Sequence, residues 1–160
     1  MSKIAIIMGS QSDLETVQAG IDILKEFKAD FEVKVLSAHR TPKELVQYVE
    51  TASRKGTKVF IAAAGGAAAL GGVIASHTAL PVIGIPIETK SLKGLDSLLS
   101  TVQMPAGIPV AAMAIGSAGA KNAALFALEI LGITDKSIEK KLKDYKRKMR
   151  LKIKKIKVKL

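Results

Sequence analysis

Five short apolar runs alternate along this chain with longer stretches in which apolar residues recur every three or four positions. The runs are Lys3–Met8, Glu32–Leu36, Lys58–Ala63, Pro81–Ile85 and Ile108–Ala114. Each has the length of a strand and is largely apolar, as expected where both faces of a sheet are covered. Between them, Leu14, Val17, Ile21, Leu24 and Phe27 form one helical face, and Leu45, Tyr48, Val49 and Ala52 a second. Ala67–Ser76 is a third helix, a shorter one begins near Leu95, and a fifth runs over Ala118–Leu131 to Gly132, read as a left-handed cap. Strands and helices in strict alternation build a parallel sheet with helices on both faces. The predicted fold is therefore α/β: a three-layer, doubly wound, flavodoxin-like parallel sheet. It forms one domain over residues 1–160, with a core over 1–133 and a basic C-terminal amphipathic helix over 134–160.

The helix starts locate the loops that matter. Ser12-Asp13-Leu14-Glu15 reads as a capping box, and Thr41-Pro42-Lys43-Glu44 as a second with proline at the first helical position. Both follow predicted strands, so the segments just before them lie at strand carboxyl ends, where sheets of this class bind ligands.

Composition removes several chemistries. The chain has no Cys and two His, so thiolate nucleophiles, disulfides and a dedicated zinc site are not expected. No apolar run reaches transmembrane length, and a strand-like run begins almost at once with no basic leader before it. The expectation is a cytoplasmic protein with neither nucleic acid nor membrane as a partner. The formal charge of +11 does not argue otherwise, because it sits at one end. From Glu139 to Leu160 twelve Lys or Arg face two acids, a net of +10, which leaves the rest of the chain at +1. In that tail Leu142, Tyr145, Met149, Ile153, Ile156 and Leu160 hold helical spacing. The basic face could serve an anionic surface or RNA, but sparse aromatics favour a helix that docks on the body or on a neighbouring subunit.

Four segments carry the chemistry. Gly9-Ser10-Gln11-Ser12-Asp13 leaves the first strand and opens a helix. It reads either as a phosphate or ribose cradle or as an ordinary turn with a capping serine. Ser37-Ala38-His39-Arg40-Thr41-Pro42 occupies the equivalent place after the second strand. There His39 could move a proton near neutral pH and Arg40 could present a planar fork to phosphate. Ala62–Gly72 has minimal side chains, which suits close approach by a ligand or by another backbone. Gly94–Val110 either lines the site, covers it or merely connects. His77 falls on the opposite sheet edge and is read as structural.

Taken together, Met8–Asp13 (MGSQSD), Ser37–Pro42 (SAHRTP), Ala64–Ala68 (AGGAA) and Gly94–Val110 (GLDSLLSTVQMPAGIPV) resemble the N5-carboxyaminoimidazole ribonucleotide mutase family of purine biosynthesis. That family is also labelled as the catalytic subunit of phosphoribosylaminoimidazole carboxylase, and the resemblance spans nearly all of residues 3–150. It implies a ribonucleotide substrate whose carboxylate moves from N5 to C4, no cofactor, and a homo-octamer with the C-terminal helix packed on a neighbour. Residue by residue it implies that His39 is catalytic, that Ser10 and Arg40 hold phosphate, and that Asp13 holds ribose hydroxyls. Ser12, Ser37, Ala38 and the backbone of Gly65, Gly66 and Ala67 would complete the pocket. The chain departs from the family pattern at Ala69, where a histidine is usual, and at Gly71, where a proline is usual. The departure leaves two alternatives beside the mutase: a sister class that carboxylates aminoimidazole ribonucleotide directly with CO2, and a non-catalytic phosphate-ligand or RNA-binding module.

Overall fold

The computed structural model describes residues 3–158, so Leu160, the last apolar position of the predicted tail, lies outside the described residues. The elements are β1 (Ile4–Met8), α1 (Leu14–Glu26), β2 (Phe31–Val35), α2 (Pro42–Arg54), β3 (Val59–Ala64) and α3 (Leu70–Ser76). They continue with β4 (Val82–Pro86), α4 (Leu95–Val102), β5 (Ala111–Ala112), α5 (Ser117–Gly132) and α6 (Lys136–Lys154). All strand pairs are parallel, in the order β2-β1-β3-β4-β5. The sheet is thus doubly wound, and the strand order reverses direction between β1 and β3.

Side-chain alternation along the central strands feeds two cores. Ile4, Ile6 and Met8 of β1, with Ile61 and Ile83, pack against Val17, Ile21 and Leu24 of α1 and Ala120, Ala124 and Leu128 of α5. Ala5 and Ile7 of β1, with Phe60 and Ala62, pack against Leu45 and Val49 of α2 and Leu70 and Ile74 of α3. Burying one such Ile or Leu contributes about 1.5–3 kcal/mol, so β1, buried at every position, ties the two layers together.

Five local expectations are corrected here. β2 is an edge strand with Glu32 and Lys34 alternating along it, and it is only half buried. β5 pairs over two residues instead of seven, because Pro109 has no N–H for the ladder and the chain reaches the sheet edge late. α3 starts at Leu70, since Gly66 and Ala68 take positive φ values of 67° and 37° and hold residues 65–69 in a turn. Gly132 is not a left-handed cap. It ends α5 within the helix, and a Cβ there would sit 3.4 Å from Leu142 Cδ1, in ordinary contact with α6. The helix-start motifs also differ. The first capping box is formed by Ser10 and Asp13, and Thr41 makes no side-chain cap on α2.

α6 docks through its first half. Asp135 caps it by accepting from the N–H groups of Ser137 and Ile138 at 3.0 and 3.3 Å. Leu142 is buried, Tyr145 packs on Phe27 with ring centroids 5.7 Å apart, and Lys141 donates to the Phe27 carbonyl at 2.7 Å. Beyond Arg147 the apolar residues emerge: Met149, Leu151, Ile153 and Ile156 are all exposed.

Candidate functional site

The β1–α1 turn is built around a buried carboxylate. Gly9 donates its N–H to Ala63 of β3 at 3.0 Å, which pins the start of the turn to the sheet. The chain then enters a short 3-10 turn over Gln11–Asp13. Asp13 folds back and accepts the Ser10 N–H at 3.0 Å, while the Ser10 hydroxyl accepts from the Ser12 N–H and hydroxyl at 3.3 and 2.9 Å. Asp13 is 7% exposed. Burial raises its carboxyl above the usual range, against the opposing pull of the Ser10 N–H, the Ser12 hydroxyl and the Arg40 charge.

The β2–α2 turn is closed by a serine and a threonine. Thr41 Oγ1 accepts the Ser37 N–H at 2.8 Å and donates to the Ser37 carbonyl at 3.1 Å, an alternative to capping α2. Ser37 Oγ in turn accepts from the Arg40 N–H at 3.2 Å and from Arg40 Nε at 3.4 Å. Arg40 Nη2 crosses to the first turn and donates to the Gly9 carbonyl at 2.9 Å. The two turns are therefore locked to each other by the guanidinium. His39 lies between these anchored residues, exposed at the mouth of the cleft.

The third side comes from the segment after β3. Together the three loops enclose an open cleft of about 460 Å³, within the usual size of small-ligand sites. Ser10, Asp13, Ser37, Ala38, His39, Arg40 and Gly65 line it. Ser12 is not among the lining residues; it supports Ser10 and Asp13 from behind. Gly66 and Ala67 are also outside the lining, and the Gly66 peptide is turned toward α4. Ala68, Ala69 and Leu70 complete the apolar wall. The sequence pointed to their segment through its small side chains and to position 69 through the family pattern, without assigning any of the three to the pocket. His77 ends α3 on the far side and lies 3.7 Å from Glu50. Among the described residues no three of His, Cys, Asp or Glu converge as a metal-binding group.

The arrangement offers two kinds of surface. One lip is polar, with an arginine, a carboxylate and serine hydroxyls suited to a sugar phosphate. The other is lined by methyl groups and backbone, suited to a flat apolar ring. An imidazole stands at the cleft with both. The cleft also sits where the strand order reverses, beside the carboxyl ends of β1 and β3, the position expected of a ligand site in this topology.

The pattern of the AIR carboxylase family matches residues 3–152. A protein named N5-carboxyaminoimidazole ribonucleotide mutase from Saccharolobus solfataricus is 55% identical over 150 residues, 94% of each chain. The protein of the same name from Pyrococcus abyssi is 56% identical over 94% of this chain and 85% of its own. The Bacillus subtilis protein of that name is 55% identical over 87% and 86%. Among solved structures, Treponema denticola PurE superposes with a TM-score of 0.85 at 30% identity, covering 94% of this chain and 92% of that one.

Proposed function

The chain belongs to the AIR carboxylase family, and from that premise we propose that its three-loop cleft is where N5-carboxyaminoimidazole ribonucleotide is bound and isomerised. The protein is an enzyme of purine biosynthesis with mutase function, the activity named for relatives that share more than half of their aligned residues with it. The observation that carries the site assignment is the convergence of Asp13, His39 and Arg40, from two different turns, on one cleft at the strand-order reversal.

Arg40 and Ser10 hold the 5′-phosphate, and the buried Asp13 carboxylate accepts from ribose hydroxyls. Ser37 and Ala38 shape the floor beside them, and the Gly65 segment meets the base. The C–N bond to the N5 carboxylate breaks and CO2 is released inside the cleft. The electron-rich C4 carbon then attacks that CO2. His39 takes the proton that C4 must lose to recover aromaticity. N5 gains a proton over the same sequence, so the isomerisation is proton-neutral and a single imidazole is sufficient. Retaining CO2 beside C4 supplies an effective concentration that free solution does not.

Ala69 stands in the apolar wall of this cleft. The mutase-named relatives, at 50–56% identity, favour the mutase over direct carboxylation with free CO2. We assign the enzyme to the cytoplasm on the strength of the biosynthetic activity named for its relatives. Among the described residues no helix is long and apolar enough to cross a membrane. A homo-octamer is the assembly the family resemblance implies, and self-association is supported by two uncovered apolar faces, Leu92, Leu95, Leu99 and Val102 at α4 and Met149 to Ile156 at the end of α6 and just past it.

His39→Ala should abolish turnover while nucleotide affinity stays within about tenfold, or about 1.4 kcal/mol. Isothermal titration beside a turnover assay makes the comparison. Near-normal turnover in that variant would remove His39 from the mechanism.

A further inference from the structure

The segment that walls the base end of the cleft has one internal bond, from the Ala68 N–H to the Gly65 carbonyl at 3.3 Å, and is otherwise held from outside. Gly66 has a φ of 67° and Ala68, though not glycine, a φ of 37°. An alanine in that region is strained and persists only when its surroundings impose it. The surroundings here include two hydroxyls from α4. Ser97 Oγ accepts the Gly66 N–H at 3.0 Å, and Ser100 Oγ donates to the Gly66 carbonyl at 3.3 Å. Both polar atoms of one residue in the loop are therefore held from behind. Ser97 is wholly buried, and its own proton goes to the Ile87 carbonyl at 2.7 Å, just past β4. The hydroxyl thus has one defined rotamer, one donor and one acceptor, and it fastens the loop to the sheet. α4 itself contributes nothing to the cleft lining.

We propose that Ser97 is a positioning residue for carboxylate transfer, with Ser100 as its outer partner, setting the Gly65–Ala69 wall against which the base and the released CO2 are held. The proposal rests on the mutase reading above. It gives a defined outcome because the polar lip and the apolar wall divide the work. Phosphate and ribose contacts come from Ser10, Asp13 and Arg40, none of which bonds to α4 in the structure. Loosening the wall leaves those contacts in place and disturbs the alignment of C4 with CO2. A displacement of about 1 Å in such an alignment costs about a hundredfold in rate. The loss therefore falls on kcat and spares KM.

The experiment compares wild type, Ser97→Ala, Ser100→Ala and Thr101→Val in the full chain. It reads kcat and KM for N5-carboxyaminoimidazole ribonucleotide, with melting temperature alongside. Thr101 is the control: it is buried on the same helix, and its hydroxyl donates to the Ser97 carbonyl at 2.7 Å without touching the loop. Ser97→Ala should lower kcat by at least about tenfold with KM within about threefold, and Ser100→Ala should lower kcat by about threefold. Thr101→Val should melt earlier and keep kcat within about twofold. A wild-type kcat in Ser97→Ala overturns the proposal, and so does an equal kcat loss in Thr101→Val. Should Ser97→Ala fail to fold, the exposed Ser100 decides, and an unchanged kcat there overturns it. An inactive wild type instead overturns the mutase reading itself.

Discussion

Asp13 shows how this site is arranged at the scale of a single residue. It is nearly as buried as the core, yet it carries a carboxylate, the group proposed above to meet the ribose hydroxyls. Its pKa is raised, chiefly by burial, so the folded protein binds that proton more tightly than the unfolded chain does. Above both values the ionised group costs stability, and the cost disappears as pH falls below the unfolded value of about 3.9. Asp13→Asn keeps an acceptor for the Ser10 N–H and removes the charge. It should raise the melting temperature at pH 7, lose that gain near pH 3.5, and weaken nucleotide binding by about tenfold or more. Thermal scans at the two pH values check the sign, and a lower melting temperature at pH 7 would refute it. The polar residues of the cleft were readable because Ser10, Asp13, His39 and Arg40 stand just past apolar runs, at the strand carboxyl ends where ligands of such sheets bind. Ala68, Ala69 and Leu70 were legible only as part of a small-residue segment, because a methyl group that walls a ligand looks the same in sequence as one that packs a helix. Ser97 was hidden for a related reason: a buried serine on a short helix carries no pattern of its own.

At the scale of elements, periodicity located the helices and fared worse at their ends. α1 and α2 bury the faces that spacing marked, because those faces meet a sheet covered on both sides. The ends depend on contacts distant in sequence. Gly132 stays in its helix with Leu142 of α6 against it, and Thr41 leaves its capping role to close a turn on Ser37. α6 itself is divided. Leu142 and Tyr145 belong to the protomer's core, whereas Met149, Ile153 and Ile156 have no cover in the protomer. Removing residues 148–160 should therefore leave a folded protomer and lower the mass of the assembly. Light scattering with circular dichroism tests both halves of that statement, and an unchanged mass would count against packing on a neighbour.

At the scale of the whole molecule, the topology was legible because right-handed crossovers and two-sided burial leave few ways to arrange five parallel strands. That topology places the carboxyl ends of β1, β2 and β3 side by side, and the cleft follows from it. What sequence left open was the reaction, because Ala69 breaks the family pattern at the cleft wall. In the structure a polar lip, a small-residue wall and one imidazole are all present without it. The most direct measurement is turnover of the purified protein, started separately from N5-carboxyaminoimidazole ribonucleotide and from aminoimidazole ribonucleotide with bicarbonate. Rapid conversion of the first, with no dependence on added bicarbonate, is the predicted result. Rapid, CO2-dependent conversion of the second alone would contradict the mutase and make this enzyme a direct carboxylase.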